Sequence, residues 1–213
     1  MNYLQNLWNA LDFGSMQSVV LRVISVLFCL VLHELSHGVV AYALGDPTAK
    51  MRHRLSLNPL QHIDWLGLAA MLFVGVGWAK PVPVNPNYFK KPKQGMALTA
   101  LAGPTSNFLL AVLLLLALRV SFHGTMTVFC DFLLDTAILS VGLGLFNLIP
   151  VPPLDGSKVL AALLPDRAYR WLMQYERFGM LAVILLMSIG PVRNFLNRAI
   201  LFVVAIFCRV VGL

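Results

Sequence analysis

Long apolar runs separated by short polar loops make up this chain. Val19–Leu44 is one such run of 26 residues, about 39 Å as a helix and enough to cross a bilayer. Gly45-Asp46-Pro47 stops it. Ala97–Leu118 and Phe132–Leu154 have the same character. The first is predicted to break near its start at Gly103-Pro104; the second is entered through Asp135 and ends in a proline-rich break. Phe178–Ile189 and Phe195–Leu213 are two further apolar helices hinged at Gly190-Pro191, which would place Arg193 and Arg198 on the far side of the membrane from the other basic loops. Trp65–Ala79 carries no charge but is only 15 residues long, short of the roughly 20 that a span needs. Basic loops flank it on both sides, holding Lys50, Arg52 and Arg54 before it and Lys80, Lys90, Lys91 and Lys93 after it. The pattern predicts a re-entrant segment there. Lys80–Pro86 alternates proline and valine, which keeps it extended and makes it a candidate edge strand. The predicted fold is an all-α integral membrane protein. It is a polytopic bundle of about five to six membrane segments, with a possible re-entrant segment and a short edge strand.

Composition agrees with this class. The chain has 213 residues, of which 59% are hydrophobic and 12% charged, against roughly 25% charged in soluble domains. The length suits a single membrane-embedded domain over residues 1–213, with a core at about 19–163 and C-terminal helices at 178–213. The net charge of +7 sits in short loops. That predicts cytoplasmic loops beside the lipid bilayer and no nucleic-acid partner. Residues 1–16 lack the basic stretch that opens a cleaved leader, so none is expected. Cys29, Cys130 and Cys208 are far apart in apolar sequence and read as core residues, not as a disulfide framework. Gly142 and Gly144 read as close helix contacts.

One motif in the first run carries chemistry. His33-Glu34-Leu35-Ser36-His37 places two imidazoles at i and i+4 on one helix face, the spacing that holds a metal ion. With five His and two Glu in the chain, this arrangement arises by chance about once in a thousand sequences. Burying it among Val, Leu and Ile is costly without a function. One zinc ion is the expected cofactor. Glu34 points beside such a metal instead of at it, as a general base does. A catalytic zinc takes three protein ligands. Asp155, at the end of the proline-broken Asn147-to-Gly156 segment, is the best third ligand, with an N-cap of the following helix as its alternative role. Asn147 is either a contact to a substrate carbonyl or a packing residue, and Asn107 either lies near the site or joins helices. His62 is either a supporting residue of the site or a surface histidine, while His53 and His123 read as solvated.

These segments together resemble the site-2 protease family of intramembrane zinc metalloproteases. The HELSH helix, Ala102-Gly103-Pro104-Thr105-Ser106-Asn107 and Asn147-to-Gly156 match its three hallmarks in order. Leu57-to-Asp64 and Gly77-to-Asn85 are similar to its compact bacterial branch, which lacks PDZ and CBS domains. The resemblance runs from Leu32 to about Leu163. It implies that His33, His37 and Asp155 hold zinc, that Glu34 is the catalytic base, and that Asn147 and Asn107 lie near the site. It further implies peptide-bond hydrolysis in or next to the transmembrane segments of protein substrates, at a bacterial inner membrane with the site toward the cytoplasm. The competing readings are a zinc transporter, which would spread ionisable residues along a pathway, and an inactive scaffold, which would have no use for Glu34.

Overall fold

The computed structural model describes residues 16–62, 64, 80–165, 167–168 and 176–213. Helix α1 spans Met16–Ala43, α2 Pro92–Ser121, α3 Val128–Asn147, α4 Asp155–Leu163, α5 Glu176–Ser188 and α6 Gly190–Val211. A helical turn at Thr48–Met51 and 3-10 turns at Pro59–Gln61 and Pro86–Tyr88 lie in the connections. Helices α1, α2, α3 and α6 are each long and apolar enough to cross a membrane, and α5 adds the shorter apolar stretch Gly179–Ser188. The protein is a polytopic helical membrane protein, as the hydropathy pattern predicts.

Helix α2 is the central element. Its Ala111, Leu115 and Leu118 pack with Leu133, Ala137 and Val141 of α3 and with Val204 and Val211 of α6. The opposite face of α2 turns Leu109, Leu113, Leu116 and Val120 outward, exposed. A helix that is apolar on both its buried and its outward face is solvated by lipid. The helices are joined by polar contacts as well as by packing. Ser25 Oγ of α1 lies 2.6 Å from Thr136 Oγ1 of α3, and Ser140 Oγ of α3 donates to the Asn107 carbonyl of α2 at 2.8 Å. Cys29 and Cys130 are buried and reduced, and Gly144 lies against Phe108.

Three sequence expectations change. The Gly103-Pro104 pair does not break α2, which runs through it. Pro104 is fully buried, and packed neighbours hold a turn that has lost one backbone bond. The second correction concerns α6. Arg119 at the end of α2 donates to the Val211 carbonyl at the end of α6, while Ile200 lies beside Gly142, close to the other end of α3. Helices α2 and α6 therefore run in parallel, and Arg193 and Arg198 lie at the bundle end where α1 and α3 finish. The cause is α5: its 13 residues reach only about 20 Å, and its Gly179 is seated on the Pro152 carbonyl. It thus starts at that same end and returns the chain there without crossing.

Third, no strand forms among the described residues, and Lys80–Asn85 is a strap outside any ladder. Pro81, Pro83 and Pro86 have no N–H to give a neighbour, and several of the strap's other backbone groups bond elsewhere. Arg54 donates to the carbonyls of Lys80 (2.7 Å) and Pro81 (3.3 Å). The Lys80 N–H donates to the His62 carbonyl at 2.9 Å. At the other end, buried Asp46 accepts from the Asn85 N–H at 2.6 Å and from the Thr48 N–H at 2.9 Å. The re-entrant segment expected at Trp65–Ala79 lies outside the described residues; the residues flanking it, His62 and Lys80, are bonded side by side.

Asp46→Ala leaves the Asn85 and Thr48 amides without their acceptor, at about 1–3 kcal/mol for each group that stays dry. The expected result is a lower unfolding midpoint in detergent, measured by thermal denaturation, with the helical content of the folded protein unchanged.

Candidate metal centre

His33 and His37 lie one turn apart on α1, and their rings meet edge to face with centroids 4.6 Å apart. Both Nε2 atoms lie 3.1 Å from a single oxygen, Asp155 Oδ2. All three side chains are buried, and one ligand atom from each falls within 4.8 Å of the others, a spacing that can hold a metal ion. Tetrahedral zinc with bonds of about 2.0–2.1 Å sets its ligand atoms about 3.3 Å apart. The two 3.1 Å separations to Asp155 sit close to that value, and two imidazoles plus one carboxylate is a donor set of the catalytic type.

Asp155 reaches the two histidines because the chain after α3 cannot continue as helix. Pro150, Pro152 and Pro153 interrupt it after Asn147, and helix resumes only at Asp155. The turn folds back so tightly that a Cβ on Gly156 would collide with the Leu148 carbonyl, which is why glycine follows the aspartate. Leu154 occupies the N-cap, so Asp155 is the first helical residue and not the cap itself. Its carboxylate gains from the α4 dipole there. Burial by itself would push the Asp155 pKa up. With no metal between them, hydrogen bonds from protonated His33 and His37, with the charges of His37 and Lys158, outweigh that and hold it well below the usual carboxylate range. Lys158 Nζ lies 3.7 Å from the other carboxylate oxygen.

Gly103 of α2 faces the rings. A Cβ built on it would stand 2.5 Å from His37 Nε2 and 2.6 Å from His33 Cε1, in the space into which the ligand atoms converge. The glycine that reads in sequence as half of a helix break is therefore a cradle for the centre. Thr99, one turn earlier, offers its carbonyl to His37 Nδ1 at 2.7 Å. A carbonyl only accepts, so this imidazole carries its proton on Nδ1 and presents the Nε2 lone pair inward, the form a metal takes. Thr99 has no signal in the sequence, because any residue supplies that carbonyl. One turn after Gly103, the Asn107 amide lies 3.1 Å from His33 Nδ1, which places it at the site as well as between helices.

Glu34 lies beside the histidines, with its Oε2 accepting from the Val82 N–H of the strap at 3.0 Å. Glu34, the two histidines, Asp155, Lys158 and Asn147 all line one cavity of about 490 Å³, whose walls are otherwise mostly apolar. Pro81, Val82 and Val84 form the strap's share of the wall, and Met180 and Val183 of α5 close another part. Asn147 donates to the Leu143 carbonyl of its own helix at 3.0 Å. His62 is not brought to the centre. It is buried, bonded through Nε2 to the Ser56 carbonyl at 2.8 Å, and absent from the cavity wall. It holds the loop beside the strap, because Arg54 also donates to the Gln61 carbonyl next to it.

Comparison with known proteins agrees with this chemistry. The profile described as Peptidase family M50 matches residues 125–190, the part that contains Asp155. YwhC of Bacillus subtilis is 38% identical over 180 residues, covering 81% of this chain and 82% of its own. The chain belongs to peptidase family M50. Rip2 of Mycobacterium tuberculosis is 32% identical over 175 residues, 79% of this M50 chain and 66% of its own. Zinc metalloprotease MJ0392 of Methanocaldococcus jannaschii is 30% identical over 140 residues, 64% of this chain and 32% of its own. The names of YwhC and Rip2 carry the words zinc metalloprotease as a provisional description. No solved structure matches. The site-2 protease resemblance and the zinc cofactor both stand: this is a zinc metalloprotease of the M50 family, and His33, His37 and Asp155 fit the metal.

Asp155→Ala should weaken zinc binding by more than the about 10–100-fold carried by outer partners of a ligand, read by chelator competition and elemental analysis of the purified protein. Gly103→Leu should give a similar loss, because its side chain occupies the space between the rings. An unchanged affinity in either variant would remove that residue from the centre.

Proposed function

We propose that the protein is an intramembrane protease that hydrolyses peptide bonds in or next to transmembrane segments of other membrane proteins. The observation that carries this reading is depth. His37 and His33 lie about 9 and 15 Å below the C-terminal end of α1, at the helical rise of about 1.5 Å per residue. A hydrolytic centre at that depth, inside a span and open to a largely apolar cavity, suits a peptide that also comes from the bilayer.

His33, His37 and Asp155 would hold the zinc, which when bound would supply Lewis acidity for hydrolysis. Glu34 takes the proton of the attacking water and passes it to the leaving amine. Between these steps its carboxylate keeps a hydrogen-bonded place against Val82. Asn147, on the cavity wall with one amide hydrogen engaged by Leu143, has a second to offer the substrate carbonyl. A transmembrane helix conceals its carbonyls in its own hydrogen bonds, so the substrate unwinds locally before cleavage. The extended strap at Pro81–Val84 then gives the unwound peptide a backbone to lie along.

The orientation follows from charge. Lys50, Arg52, Arg54, Lys80, Lys90, Lys91, Lys93, Lys158, Arg193 and Arg198 lie at the end of the bundle nearest the centre, and Arg22, Arg119 and Arg209 toward the other. The positive-inside rule turns the centre to the cytoplasm, here of a bacterial inner membrane. The described residues hold a single cluster with metal-ligand spacing, which suits one fixed hydrolytic centre better than a transport path.

Glu34→Gln is expected to lower cleavage of a tethered transmembrane substrate by at least about 100-fold, the scale of general-base catalysis, with one zinc retained per chain. Cleavage by the purified variant at the wild-type rate would rule out Glu34 as the base. Cleavage of a soluble unfolded peptide in preference to the membrane substrate would rule out the intramembrane reading.

A further inference from the structure

Thr99, Gly103 and Asn107 stand four residues apart on α2, so they form one stripe along the face that meets His33 and His37. Thr99 orients His37 through its carbonyl, and Gly103 leaves the central space open. Asn107 is fully buried, and its amide meets His33 Nδ1 at 3.1 Å. We infer that Asn107 is a positioning residue that accepts the Nδ1 proton of His33 through its side-chain oxygen and so holds the Nε2 lone pair of that ring toward the metal.

For both imidazoles to ligate through Nε2, each is neutral and carries its proton on Nδ1. His37 has a carbonyl to receive that proton. Among the described residues, the Asn107 amide is what lies within hydrogen-bond distance of His33 Nδ1. With Nδ2 facing the ring, Nδ1 would be the acceptor and the proton would sit on Nε2, pointing at Asp155 Oδ2, where it blocks ligation. With Oδ1 facing the ring, the proton is received on Nδ1 and Nε2 is free. Which end of an amide faces a neighbour is decided by its hydrogen bonds. Asn107 Oδ1 is buried with no hydrogen-bond partner among the described residues when Nδ2 faces the ring, so none of their donors ties the oxygen away from His33. Ser140 Oγ donates to the Asn107 backbone carbonyl at 2.8 Å, which fixes the position of the residue while leaving its side chain able to turn.

This inference rests on the zinc reading of His33, His37 and Asp155, but not on the identity of the substrate or the base. The test uses the purified full chain and zinc alone. Asn107→Leu keeps the size and loses the acceptor, and Asn107→Asp keeps an acceptor at the same reach. Leucine should lower zinc affinity about 10–100-fold in chelator competition, and aspartate should restore it to within a few-fold of wild type. Leucine binding zinc as wild type does, or aspartate failing as leucine does, would overturn the assignment. A wild-type chain that takes up no zinc would instead overturn the metal centre itself and this inference with it. Should the variants not fold, the wild-type zinc form still decides the matter. In protein labelled with 15N-histidine, the His33 Nδ1 proton should be protected from solvent exchange, and a proton exchanging as freely as that of an exposed imidazole would refute the bond to Asn107.

Discussion

Two imidazole nitrogens and one carboxylate oxygen directed at a single point inside an apolar bundle is the constraint on which the rest of this structure depends. Lone pairs that converge away from water are costly unless a cation or shared protons lie among them. Satisfying that convergence requires three separate pieces of chain to approach more closely than ordinary side chains allow. Helix α1 supplies two ligands on one face. Helix α2 meets it without a Cβ at Gly103. The segment after α3 doubles back until Gly156 touches the Leu148 carbonyl, and that turn carries Asp155 to the histidines.

The surroundings of the centre serve the same requirement. Metal-binding histidines hold their orientation through the second ring nitrogen, and here both of those nitrogens face α2. Glu34, the carboxylate proposed for proton transfer, is held against the strap. That strap is fixed at its ends by Arg54 and Asp46, two charged side chains that bond to backbone atoms of distant segments. Charge in the loops thus shapes the cavity wall, while the bilayer-facing surface of the helices remains apolar.

Much of this was legible along the chain. Apolar runs of membrane length announce the helices, because lipid exposure needs only composition and length. The HELSH spacing announces two histidines that can share a metal, because i and i+4 share a face on any helix. The prolines before Asp155 announce irregular backbone at a span's end. All of these follow from local geometry, which a few consecutive residues determine.

Other features depended on contacts between segments far apart in sequence. Pro104 breaks a helix in isolation, but not one whose neighbours enclose it. Arg193 and Arg198 belong to the end of the bundle carrying the centre because α5 turns back, which the packing of α5 on Pro152 and of α6 along α2 and α3 shows. The alternation of proline and valine suggests a strand, but a strand needs a partner, and the backbone groups at the strap's ends and the Val82 N–H are taken by Arg54, Asp46 and Glu34. His62 and Asn107 look alike as isolated polar residues in the sequence. Packing sends one to a loop carbonyl and the other to a metal-ligand ring. Residue spacing decides which side chains share a face, whereas the close approach of distant helices decides what that face meets.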